Sequence, residues 1–165
     1  MATRRDAGTE LQYASDLIND VIRDIRGIKT GIHVCRGNWS RKEEVLLSGN
    51  YSPLLPAFQK MRVDQYVLEY ATPRAGEIDI VGQTLGNKEI GLGVCNPRTA
   101  EVEDTADIIG SVQKALHYFR PESIYLNPDC GFGCFALRCV NDADTAFRKL
   151  QSMVAAARVL RESHS

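Results

Sequence analysis

Four short segments of this chain are almost continuous runs of apolar residues: TGIHVC (30–35), QYVLEY (65–70), EIGLGVC (89–95) and SIYLN (123–127). A strand with one wet face alternates apolar and polar residues, whereas a strand buried on both faces reads as an unbroken apolar run. Such strands belong to a parallel sheet covered by helices, and helical patterns fall between them. Residues 11–25 place Leu11, Ala14, Leu17, Ile18, Val21, Ile22 and Ile25 at helical spacing, with Gly27 as the stop. Residues 41–47 read as a short helix, 53–61 as a helix opened by proline, and 76–82 as a short helix or turn. Residues 103–119 form a strong helical pattern, and 142–161 form the longest one, capped by Asp or Asn. Strand and helix alternate four times, which specifies an α/β fold of parallel βα units. A doubly wound sheet and a barrel share this periodicity.

Composition narrows the partners. A length of 165 residues suits one domain, and 44 % apolar with 25 % charged residues is an ordinary globular mix. Twenty basic against twenty-one acidic residues give a net charge of −1, so no basic excess exists to bind a phosphate backbone, and nucleic acid is not an expected partner. The longest uncharged apolar runs fall far below the ~20 residues of a membrane span, so no membrane partner is expected either. The opening MATRRDAGTE lacks the apolar run of a secretory signal. Five cysteines are an odd number, which fits reduced thiols and a cytoplasmic location better than a disulfide framework.

The strand ends carry the chemistry. They read His33-Val34-Cys35, Leu68-Glu69-Tyr70, Val94-Cys95-Asn96 and Asn127-Pro128-Asp129-Cys130-Gly131. In a parallel α/β fold the C-terminal strand ends share one side, and that side holds the active site. Residues i and i+2 of a strand share a face, so His33 and Cys35 present an imidazole and a thiol together. With Glu69 and Cys130 they form a donor set of the kind Zn²⁺ prefers. An isolated His-x-Cys pair is more often core than site, but a Glu closing an apolar strand is harder to place without a partner. Cys134 and Cys139 sit at no strand end and read as structural. Cys95 reads as pocket or core, His117 and His164 as surface, and Trp39 as either a loop packer or a ligand contact. No Cys-x-x-Cys occurs, which argues against a small redox protein.

HVCRGN (33–38), VLEYATPRAGEID (67–79), EIGLGVCNPRTAEVE (89–103), YLNPDCGF (125–132) and the following KLQSMVAAARVLR resemble the C-terminal catalytic half of cobalamin-independent methionine synthase. That group is related to the epoxyalkane:coenzyme M transferases. The likeness runs from Leu11 to Arg161. It implies a (β/α)8 barrel with a zinc ion at its C-terminal mouth, ligated by His33, Cys35, Glu69 and Cys130, Glu69 being the ligand that yields to substrate. It implies homocysteine as the thiol and 5-methyltetrahydrofolate as the methyl donor. Methionine synthases carry an Asp-Ile-His-like turn after the third strand, where this chain has Cys95-Asn96-Pro97-Arg98. Arg98 thus replaces a histidine tied to proton handling, and it reads either as a solvated loop cation or as a contact for a carboxylate or sulfonate. The segment between Cys35 and Glu69 is longer than in the bacterial enzymes, implying an extra loop over the mouth.

Four βα units are half of an eight-stranded barrel, which takes ~250 residues. Residues 1–165 therefore read as one partial catalytic domain with no second domain, the C-terminal half of a TIM barrel. Its two open sheet edges favour self-association or pairing with an upstream half-barrel. Alkyl transfer to another thiol, as in the coenzyme M transferases, and an inactive fragment keeping only the metal site are the alternatives.

Overall fold

The computed structural model describes residues 6–133 and 139–164. Helix α1 (Ala7–Ile22) is capped by Asp6, whose carboxylate accepts the Thr9 N–H at 2.9 Å. There follow β1 (Gly31–Val34), α2 (Leu55–Phe58), β2 (Gln65–Leu68), α3 (Asp79–Leu85), β3 (Glu89–Cys95), α4 (Thr105–Ala115), β4 (Ile124–Pro128) and α5 (Ala143–Ser163). Asp104 and Asp142 cap α4 and α5 through side-chain oxygens. Single 3-10 turns at Glu43–Val45 and Ser52–Leu54 stand where the sequence suggests a short helix and the start of a longer one.

Consecutive strands are neighbours in a four-stranded parallel sheet ordered β1-β2-β3-β4. Right-handed crossovers in that order place the helices on one face. There Tyr66, Leu68, Ile90 and Leu92 pack with Phe58, Val81, Leu85, Ile108, Val112 and Phe119 into one core. Alternate strand positions, His33, Gln65, Val67, Tyr125 and Asn127, belong to the other face, where burial is incomplete and Tyr125 is 42 % exposed. Only β3 is buried nearly throughout. The expectation of strands covered on both faces thus holds at the sheet centre and fails at β1 and β4, because among the described residues no layer covers the second face.

Two strands stop earlier than their apolar runs. β1 ends at Val34 because the next N–H groups turn to side chains: Arg36 N–H donates to Glu69 Oε1 at 3.1 Å and Gly37 N–H to the Cys35 sulfur at 3.3 Å. β2 ends at Leu68 because Glu69 N–H donates to the Tyr51 hydroxyl at 2.9 Å, and Tyr70 and Ala71 N–H donate to Asp129. Side chains from elsewhere in the chain take over the ladder at the C-terminal rim.

α5 is anchored by a buried charge. Lys149 is fully buried, and its ammonium donates to both Glu103 oxygens at 3.0 and 3.1 Å and to the Glu101 carbonyl. Glu103 also accepts the Asn96 N–H at 2.7 Å, which ties α5 to the end of β3. Removing one partner of a buried pair leaves the other uncompensated. Glu103→Ala is expected to lower the unfolding free energy by about 3 kcal/mol in urea titration. Lys149→Met is expected to cost less, because Glu103 keeps the Asn96 N–H and some water. Equal losses in the two variants would contradict this account.

Candidate metal centre

His33 lies on β1 and Cys35 one residue beyond it, Glu69 follows β2 directly, and Cys130 lies two residues past β4. One ligand atom from each of the four lies within 4.8 Å of all the others. The Cys35 and Cys130 sulfurs are 3.9 Å apart. Two sulfurs at ~2.3 Å from a tetrahedral ion stand about 3.8 Å apart, so this spacing already suits Zn²⁺. The four residues that the sequence singles out are brought together by the fold.

Each donor is oriented by a neighbour. His33 Nδ1 is 3.0 Å from the Val67 carbonyl, which can only accept, so Nδ1 carries the proton and Nε2 keeps its lone pair. Cys35 accepts the Gly37 N–H in a turn where Gly37 has φ +95°, and a Cβ there would lie 2.4 Å from the Trp39 ring. Glycine is needed on both counts. Burial chiefly, with Cys130 and Glu69 adding to it, pushes the Cys35 thiol above its ordinary pKa against the lowering effect of the Gly37 N–H. Anionic donors crowded without a cation oppose one another's ionisation, and a cation reverses the sign.

Glu69 is only 2 % exposed, and both of its oxygens are occupied. Oε1 accepts from Asn38 Nδ2 at 2.6 Å and Arg36 N–H at 3.1 Å, and Oε2 pairs with Arg74 at 3.2 Å. Arg36 donates to the carbonyls of Gly49 and Arg74 and lies over the Tyr51 ring at 5.0 Å. Asp129 is fully buried beside Cys130, and burial, partly offset by the Ala71 N–H, lifts its pKa to about 7. Tyr51, Asn38, Arg74 and Asp129 are contributors that sequence reasoning missed. Asn38, Asp129 and Arg74 lie inside the HVCRGN, NPDCG and VLEYATPRAGEID motifs, and Tyr51 alone of the four has no local signal.

The other cysteines and histidines take different places. Cys95 is buried near the Lys149 carbonyl, and its thiol is pushed up to about 12 chiefly by burial, so it belongs to the core. Cys139, His117 and His164 are exposed, and Cys134 lies outside the described residues. Trp39 is half exposed over Gly37. Arg98 is 2 % exposed, and its Nε donates to Asn38 Oδ1 at 3.0 Å. It is not a solvated loop cation. It supports the amide that holds Glu69.

Among the described residues no helix is long and apolar enough to cross a membrane. Residues 25–159 match the family described as cobalamin-independent synthase, catalytic domain. Methionine synthases of Pyrococcus horikoshii and Pyrococcus abyssi are 32 % and 33 % identical over 153 residues, which is 93 % of this chain and 39 % of each relative. A B12-independent methionine synthase from Shewanella sp. W3-18-1, solved in complex with selenomethionine, superposes with a TM-score of 0.72 at 18 % identity. That overlap covers 93 % of this chain and 46 % of the other. The chain spans less than half the length of these relatives. It belongs to the cobalamin-independent methionine synthase family.

Proposed function

We propose that this chain is the metal-bearing half of a (β/α)8 barrel that transfers a methyl group from 5-methyltetrahydrofolate to the thiol of homocysteine, giving methionine. The observation that carries the reading is the convergence of His33, Cys35, Glu69 and Cys130 within 4.8 Å at the C-terminal strand ends. Two thiols, an imidazole with a free lone pair and a carboxylate form a donor set that fits Zn²⁺ in both softness and charge. Bound there, zinc supplies the Lewis acidity that keeps a substrate thiol ionised at neutral pH.

The chain's own residues do the rest. Cys35 and Cys130 contribute two negative charges, which keep a thiol sulfur beside them electron-rich. Glu69 is the donor suited to exchange, since Asn38, Arg74 and the Arg36 N–H already hold its carboxylate wherever it turns. Val67 fixes the His33 tautomer. Thiol donors stay reduced in a reducing compartment, which supports the cytoplasm as the location of the proposed site.

Homocysteine and methyl-folate then need the other half of the barrel. Support comes from the uncovered sheet face, from β1 and β4 as sheet edges, and from an apolar groove of about 640 Å³ along β4, lined by Val112, Leu116, Ile124, Leu126, Met153 and Leu160. We assign these surfaces to an upstream half-barrel, with a second copy of the chain as the competing occupant.

The purified chain is expected to hold one zinc, and Cys130→Ser to lose both zinc and methyl transfer. Unchanged zinc stoichiometry in that variant, read by atomic absorption, sinks the ligand assignment. Because burial raises the Cys35 thiol, zinc uptake must displace protons through the whole neutral range. Affinity should therefore fall as pH falls, by about tenfold per pH unit for each thiol that must ionise. A competition titration showing affinity flat between pH 8 and pH 6 contradicts a thiolate site. In an assay of homocysteine and methyl-folate beside other thiols, the chain alone should turn over poorly. Adding the upstream barrel segment of the Pyrococcus horikoshii enzyme should restore rate. A monomer by size exclusion with full activity alone would overturn the half-barrel reading, and preference for another thiol would redirect the substrate.

A further inference from the structure

We propose that Asp129 is the positioning residue of this centre: its carboxylate draws the end of β2 to the end of β4 across β3, and so brings Glu69 and Cys130 to one point. β2 and β4 are not neighbours, since β3 runs between them. Asp129 Oδ1 nevertheless accepts Tyr70 N–H at 2.9 Å and Ala71 N–H at 2.8 Å, immediately after Glu69. Its own N–H donates to the Cys95 carbonyl at 2.9 Å, so one residue joins the C-terminal ends of three strands. Cys130 is the next residue in the chain. Each end of the bridge is therefore one residue from a donor of the metal site.

The sheet is built to let this carboxylate cross. A Cβ on Gly93 would lie 2.1 Å from Asp129 Oδ1, 2.8 Å from the Leu68 carbonyl oxygen and 3.0 Å from the Tyr70 nitrogen. Only glycine leaves the passage open, although Gly93 has no left-handed backbone to demand it. The β3–β4 register also shifts at this point, with Gly93 opposite Asn127 and Cys95 opposite Pro128. The irregularity turns Asp129 inward over the sheet end, as bulges near functional sites do when they re-aim a side chain. Asp129 is fully buried, and its Oδ2 has no hydrogen-bond partner among the described residues. A group so costly to bury and only half satisfied is hard to account for as packing alone.

Residues that orient ligands from behind typically change metal affinity by about 10–100-fold when removed. Asp129→Ala should weaken Co²⁺ binding by that factor and change the cobalt absorption spectrum. Asp129→Asn, which keeps the accepting oxygen, should retain wild-type affinity and spectrum. Gly93→Ala leaves Asp129 in place but blocks its path, so it should resemble Asp129→Ala, and it carries the test if Asp129→Ala does not fold. A second readout needs no metal. The Cys35 and Cys130 sulfurs, 3.9 Å apart, should form a disulfide in a glutathione redox buffer, losing two electrons and two protons to glutathione disulfide. Peptide mapping should find this bond less populated in Asp129→Ala and Gly93→Ala, and near wild-type in Asp129→Asn. Wild-type affinity, spectrum and disulfide population in folded Asp129→Ala or Gly93→Ala overturn the proposal, as does an Asp129→Asn as impaired as Asp129→Ala. The inference rests on the proposed metal site for the cobalt arm alone. A wild-type chain that takes no cobalt but shows the predicted disulfide order defeats the zinc reading and supports the positioning role.

Discussion

A carboxylate at the end of a buried strand must be compensated, and much of the rim of this protein is arranged around the compensation of Glu69. Taking such a group out of water costs several kcal/mol unless charge and hydrogen bonds are returned to it. Arg74 returns a charge, while Asn38 Nδ2 and the Arg36 N–H return hydrogen bonds. These donors come from two different loops, the one after β1 and the one after β2. The Arg36 guanidinium binds the loops together through the carbonyls of Gly49 and Arg74, and Tyr51 stacks under it while accepting the Glu69 N–H. Arg98 extends the network by holding the Asn38 amide from the loop after β3. Three loops therefore have a defined path because one acid sits between them.

The network also sets what Glu69 can do chemically. A carboxylate whose only partner were a metal would leave that metal at the full cost of an unpaired buried charge. Glu69 has a cation and two neutral donors behind it, so its charge is compensated without a metal. Cys35 and Cys130 have no comparable support: the Cys35 sulfur accepts one N–H, and burial with the nearby anions raises its pKa. Under the proposed zinc reading, two donors that need a cation and one that does without would give a site with a fixed part and an exchangeable part.

This division explains what the sequence made legible. The apolar runs, the helical spacings and the four donor types are local signals, and each maps onto the fold with shifts of a few residues. The ends of β1 and β2 are not local signals. They fall where Glu69, Tyr51 and Asp129 capture backbone N–H groups that the apolar pattern assigns to the ladder. Tyr51 lies in a polar loop and Arg74 in a 3-10 turn, and nothing near either residue announces that its partner is Glu69. Arg98 is ambiguous for the same reason: a loop arginine is solvated by default, and only the position of Asn38 makes it a buried brace. The centrality of β3 was equally invisible, because its burial depends on having a neighbour on each side.

The four candidate donors lie on β1 or just beyond β1, β2 and β4, and β3 contributes the gap at Gly93 through which the outer strands communicate. The donor set is therefore closed within this chain and needs nothing from outside to form. The surfaces that a substrate would meet are not closed: His33, Val67, Tyr125 and Asn127 face a side with no covering layer among the described residues. A chain with an assembled donor set and an unassembled pocket can take up a metal ion before it has a place for a small molecule. Under the proposed function, metal uptake would precede completion of the pocket, because the candidate ligands are already ordered by hydrogen bonds within these strands, whereas the proposed substrate walls would depend on a second set of strands pairing with β1 and β4. Such an order would protect the thiols early, since Cys35 and Cys130 stand close enough for an oxidant such as glutathione disulfide to join them, and a shared cation would shield both.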